Sequence, residues 1–90
     1  MKISEIKNSI EKILDKNKAL NVVTIDLKKK SYIADYMIVA SGTSSRHLQS
    51  LSENLVTELK KIGIGNCRIE GGESNDWKLV DAIDIIVHIF

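Results

Sequence analysis

The chain lacks most of what a specialised chemistry would use. One cysteine, Cys67, stands alone in 90 residues, so no internal disulfide can form. It has no second thiol nearby, and the two histidines, His47 and His88, lie far apart without ligand spacing, so no zinc or other metal site is expected. A reducing compartment fits such cysteine usage. Charge of one sign is also missing: 13 Lys+Arg against 12 Asp+Glu leave a net charge of +1. That supplies no general field for wrapping nucleic acid, so no direct nucleic-acid specificity is expected and any partner surface has to be read locally. No apolar run approaches the ~20 residues of a membrane span. Glu5, Glu11 and Asp15 make the N-terminal segment unlike a signal or transit peptide. The expectation is a soluble, cytoplasmic chain with no membrane contact. Linkers, repeats and low-complexity segments are absent as well, so residues 1–90 read as one domain. A domain of this size buries about 60% of the surface its unfolded chain exposes, which leaves room for one sheet with one or two helices and little for a deep cleft.

Ile3, Ile6, Ile10, Ile13 and Leu14 recur at helical spacing among Lys7, Asn8, Glu11 and Lys12, which predicts an amphipathic helix over about 4–16. Residues 22–25, "VVTI", read as a strand, and the following "KKKS" as a solvated turn or strand end that blunts an edge. "YMIVAS" is a second strand, apolar throughout like strands buried on both faces. Leu48, Leu51, Leu55, Leu59 and Ile62 step by three and four along one face of a second helix, with Gly63 placed for a left-handed C-cap and Gly65-Asn66 completing the turn. Three short strands follow, "CRIEG", "WKLVD" and "DIIVHIF", with "GGESND" as turn material in which Asn75 tolerates positive φ. This order predicts an α+β fold: a single mixed sheet of about five strands with helices on one face.

Between the second strand and the second helix lies "ASGTSSRH". Glycine at 42 and the hydroxyls that follow fit either an anion-binding turn, using Ser44, Arg46 and free amides, or an ordinary helix cap with Thr43 or Ser44 as N-cap. Cys67 opens an alternating strand and reads as a small hydrophobe more than a nucleophile. No Ser, His, Asp arrangement is apparent.

The last hairpin carries the more informative pattern. Pairing "WKLVD" with "DIIVHIF" around Ala82-Ile83 sets Asp81 opposite Asp84, Val80 opposite Ile85, Leu79 opposite Ile86, Lys78 opposite Val87 and Trp77 opposite His88. One face then shows Val80, Ile85, Val87 and Ile89 with Lys78 at its end, suited to packing beneath helices. The other shows Trp77, Leu79, Asp81, Asp84, Ile86 and His88, a mixture typical of a protein-binding patch. The competing expectation is a satellite core in which Trp77 and Leu79 lie under the first helix and His88 bonds a nearby acid.

"DYMIVASGTSSRH", "EGGESNDW" and "LVDAIDIIVHIF", three blocks in order between about Ala19 and Phe90, resemble the ribosomal silencing factor family, also called Iojap-like. The resemblance implies a nucleotidyltransferase-like topology without established transferase activity. It also implies binding to ribosomal protein uL14 on the joining face of the large ribosomal subunit, and obstruction of subunit joining. It further associates a tryptophan, a leucine and an aspartate with partner contact, here Trp77, Leu79 and Asp81. Two acids beside a tryptophan suit a basic ribosomal protein better than RNA phosphates. Two departures stand out: Asn75 where the family usually has glycine, and Ala82-Ile83 where it has a tyrosine-glycine pair, which leaves a β-branched residue at a turn favouring positive φ. Family members also usually continue into a short acidic and aromatic tail past "HIF", so a contact made by that tail is expected to be missing here.

A nucleotidyltransferase would need carboxylates converging on magnesium. Glu53 and Glu58 fall on the outer surface of the second helix, and Asp81 and Asp84 meet only at a hairpin end. The chain is therefore expected to be non-enzymatic and to need no cofactor. The alternative is a nucleotide- or phosphate-binding enzyme acting through residues 41–46. A homodimer that hides the same patch in the free state is a further expectation.

Overall fold

The computed structural model describes residues 1–71 and 76–90, so Asn75 and most of the "GGESND" turn lie outside the described residues. The elements run α1 (Ile3–Lys16), β1 (Leu20–Asp26), β2 (Tyr36–Ser41), α2 (Ser45–Lys61), β3 (Arg68–Glu70), β4 (Lys78–Asp81) and β5 (Ile85–Ile89). They form one five-stranded sheet in the order β1-β2-β5-β4-β3. β2 and β5 pair in parallel and the other neighbours are antiparallel, so the expected mixed α+β sheet is what the chain builds.

Both helices lie on one face. Thr24 Oγ1 donates to the Glu11 carboxylate at 2.5 Å, and the Lys7 ammonium sits 5.7 Å from the Tyr36 ring centroid, which fixes α1 over β1 and β2. The core is the layer between helices and sheet: Ile10 and Leu14 from α1, Leu48, Leu51, Leu55 and Leu59 from α2, and Tyr36, Ile38, Val80, Ile85, Val87 and Ile89 from the sheet. Every second strand residue enters it, as a pleated strand requires. Even Lys78 is buried on this face.

The helix ends follow from local chemistry. Ser44 is the N-cap of α2, its Oγ accepting the His47 N–H at 3.0 Å. Gly63, at φ 93°, closes α2 in a Schellman motif, with Ile64 N–H donating to the Leu59 carbonyl and Gly63 N–H to that of Lys60. The same motif closes α1, but with Lys18 at φ 66° in the position that favours glycine. At Gly42 a Cβ would come within 2.7 Å of Leu48 Cδ2, so glycine permits close packing of the β2–α2 connection.

Two sequence expectations are corrected. β2 is not buried on both faces; Met37 and Val39 remain partly exposed on the side away from the helices. The β4–β5 register is displaced by two residues, with Val80 opposite Val87, Leu79 opposite His88, and Asp81 opposite Ile86. The turn is centred one residue later than Ala82-Ile83, and because side chains alternate with a period of two, a displacement of two leaves both faces as expected.

Candidate partner-binding face

The sheet face opposite the helices is uncovered, and cross-strand register arranges its side chains in rows. One row reads Val23, Val39, His88, Leu79 and Glu70 across all five strands; the next reads Ile25, Met37, Ile86, Asp81 and Arg68. At one end of the strands, Trp77 (43% exposed), Leu20 and Phe90 are exposed together, and the Phe90 ring stacks on His88 with centroids 6.2 Å apart. At the other end stand Asp84 and the turn. Leu79, Asp81, Ile86 and His88 are thus neighbours on one open surface, with Trp77 at its margin and Asp84 on its rim. α1 lies on the far side of the sheet, so it does not cover Trp77 and Leu79 as the competing expectation required.

Asp81 also has a local task. Its Oδ1 accepts the Ile83 N–H at 2.8 Å, while Asp84 N–H donates to the Ala82 carbonyl at 2.9 Å around Ile83 at φ 70°. A hydrogen bond between residues i and i+2 about a positive φ is a γ-turn of the strained kind. The Asp84 carbonyl accepts from Asp35 N–H at 2.7 Å, tying this turn to the β1–β2 connection. Cys67 stands beside Asp81 on the helix-to-β3 approach; partial burial first, then the Asp81 carboxylate, pushes its thiol pKa up.

At the α2 N-terminus, where Ser44 and Arg46 are the candidate anion ligands, the Thr43 and His47 amides are used internally. The Ser44 hydroxyl caps the helix, and Thr43 N–H donates to His47 Nδ1 at 2.9 Å. That bond places the His47 proton on Nε2, which donates to the Asn17 carbonyl at 2.9 Å and clamps α2 to the end of α1. Arg46 is exposed. Among the described residues, no three His, Cys, Asp or Glu side chains are grouped to hold a metal ion, and no helix is long and apolar enough to cross a membrane.

The family model described as RsfS, ribosomal silencing factor during starvation, matches residues 1–90. The chain belongs to the ribosomal silencing factor family. A "ribosomal silencing factor RsfS" of Zymomonas mobilis is 46% identical over 77 residues, 86% of this chain and 58% of that protein. The chain therefore spans little more than half the length of that relative. A mouse protein named "mitochondrial assembly of ribosomal large subunit protein 1" is 30% identical over 86% of this chain and 35% of its own. The fold agrees: a Chromobacterium violaceum crystal structure superposes with a TM-score of 0.94 at 34% identity, covering 100% of this chain and 75% of that one.

For this member of the ribosomal silencing factor family, sequence reasoning located half of the open face. It missed Val23, Ile25, Met37 and Val39, which extend the apolar surface over β1 and β2. The alternation of Val23, Thr24 and Ile25 was the available signal for β1. In β2 the signal was absent, since "YMIVAS" is apolar on both sides of the strand.

Proposed function

We propose that this chain silences ribosomes by binding the large subunit through the uncovered sheet face and so preventing the two subunits from joining. The observation that carries the reading is a five-strand face left bare by both helices, on which Leu79, Asp81, Ile86 and His88 adjoin, flanked by Trp77 and Asp84. Soluble domains rarely expose so continuous an apolar surface without using it. Family membership supplies the ribosome as target, and the name of the mouse relative supports the large subunit. The partner within that subunit is ribosomal protein uL14, a protein surface that meets apolar rows and the carboxylates of Asp81 and Asp84. In the free state a homodimer covers the same face. The chain acts in the cytoplasm, as a binding module without a catalytic step, and Ser44 serves α2 as its cap. Light scattering by mixed purified subunits tests the reading: joining should fall as the protein is added in stoichiometric amounts. Undiminished joining at saturating protein would refute it.

A further inference from the structure

The two parts of the chain carry opposite charge. Residues 1–30 hold eight lysines and four carboxylates, while residues 31–90 hold five basic and eight acidic side chains. Three of those lysines, Lys28, Lys29 and Lys30, are consecutive and exposed at the head of the β1–β2 connection. With Asp26 they line an open depression of about 560 Å³. Asp26 is committed to Lys28: its Oδ1 accepts the Lys28 N–H at 2.9 Å, and its Oδ2 lies 3.8 Å from Lys28 Nζ, which also donates to the Tyr36 hydroxyl at 2.9 Å. Asp35, beyond ion-pair distance, acts on the same ammonium. Lys29 and Lys30 take part in none of the ion pairs among the described residues. Two uncompensated ammonium groups therefore border the depression, and they select an anion.

Backbone bonds hold this turn in shape. Lys30 N–H and Ser31 N–H both donate to the Leu27 carbonyl at 2.9 Å, Leu27 N–H donates to the Asp35 carbonyl at 2.8 Å, and Ile33 N–H donates to Ser31 Oγ at 3.0 Å. The lysines are thus presented on an ordered turn, which lowers the ordering cost of binding. Two residues on, Tyr32 is fully exposed, and Ile33, also exposed, lines one depression with Ile83 and Ile86 at the rim of the open face. A body that seats the sheet face therefore meets this turn at its edge. Cations beside a bare aromatic ring fit RNA better than an acidic protein surface, which would answer the lysines and leave the ring unused. Resting on the reading above that the open face docks on the large subunit, we propose that the turn lies on a segment of that subunit's RNA, with phosphates at Lys29 and Lys30 and an unstacked base on the Tyr32 ring. Such a contact adds affinity and fixes the orientation of the chain without reading sequence.

Lys29→Gln combined with Lys30→Gln removes both charges, and because neither ammonium joins an ion pair in the fold the double variant should melt like wild type. Its affinity for purified large subunits should fall about tenfold, and the slope of log affinity against log salt should become shallower by about 1 per lysine. Tyr32→Ala should lose about five- to tenfold with the slope unchanged. Lys60→Gln with Lys61→Gln makes the same charge change at the end of α2 and should match wild type in affinity and slope. Hydroxyl-radical probing of the subunit RNA at saturating protein identifies the partner: wild type should protect a segment that the Lys29 and Lys30 double variant leaves cleavable while still bound. An unchanged slope or an unchanged footprint overturns the proposal. So does a lysine-dependent affinity without RNA protection, which assigns the turn to an acidic protein surface, or an equal loss from the Lys60 and Lys61 pair, which reduces the effect to overall charge. Lysine-dependent binding to vesicles of anionic lipid, with subunit affinity unmoved, overturns it too. If wild type fails to bind large subunits, the docking reading falls and takes this contact with it; if wild type binds and the turn variants match it, this contact alone falls.

Discussion

Val80 and Trp77 lie three residues apart on the same hairpin, and the structure assigns them opposite work. Val80 is fully buried, facing Val87 on β5 and Ile69 on β3 beneath α2. Truncation to alanine removes two carbons, about 1.6 kcal/mol of transfer at ~0.8 kcal/mol each, and the unfilled space brings the loss to roughly 2–3 kcal/mol. For a domain of this size that lowers the melting temperature by roughly 10–20 °C. Affinity for the large subunit in the folded fraction should not move. Trp77 is half-exposed at the margin of the open face, with its ring edge against Gly71, where a Cβ would lie 3.3 Å from Trp77 Cε3. Its packed half contributes about 1–2 kcal/mol at ~25 cal/mol per Å², so Trp77→Ala should melt several degrees lower but remain folded. Its larger effect should be on binding: a tryptophan anchor lost from an interface costs on the order of 2 kcal/mol or more, about thirtyfold in dissociation constant. The assay is a denaturant midpoint and a dissociation constant for each variant. If Trp77→Ala keeps its affinity while folded Val80→Ala loses it, the two faces have been assigned the wrong way round.

Ser44→Ala removes the N-cap of α2 and should cost about 1 kcal/mol, read as a lower urea midpoint, without altering ribosome binding. Nucleoside triphosphate with magnesium should yield no pyrophosphate above a heat-killed control; release abolished by Ser44→Ala or Arg46→Ala would instead favour an enzyme built on the α2 turn. Because burial and the Asp81 carboxylate raise the Cys67 pKa, iodoacetamide should alkylate the folded chain more slowly than the urea-unfolded chain at pH 8, with the half-maximal rate displaced to higher pH. Equal rates in both states would show that the thiol is not shielded.

Periodicity was enough for the elements that pack on one side. The leucines of α2 and the isoleucines of α1 mark their buried stripes, and Gly63 marks the end of α2 because no other residue enters the left-handed region so cheaply. The face assignment of β4 and β5 was equally legible, since a core face reading Val80, Ile85, Val87 and Ile89 admits only one parity. Register was not. Choosing between turns centred on Ala82-Ile83 and one residue later depends on Asp81 bonding the Ile83 amide and on a γ-turn that isoleucine disfavours, local bonds that hydrophobic alternation does not encode. Nor could the apolar run of β2 disclose that one of its faces stays bare. That follows from both helices lying on the same side of the sheet, where Ile10 and Leu14 of α1 and the leucines of α2 enter one core.

As a docking surface, the bare sheet face should recognise one ribosomal subunit and not the other. Sedimentation of the chain with separated subunits addresses it directly. Saturable, one-to-one pelleting with large subunits is expected, none with small subunits, and Trp77→Ala should lose most of that pelleting. Equal pelleting with both subunits, or with neither, would contradict it.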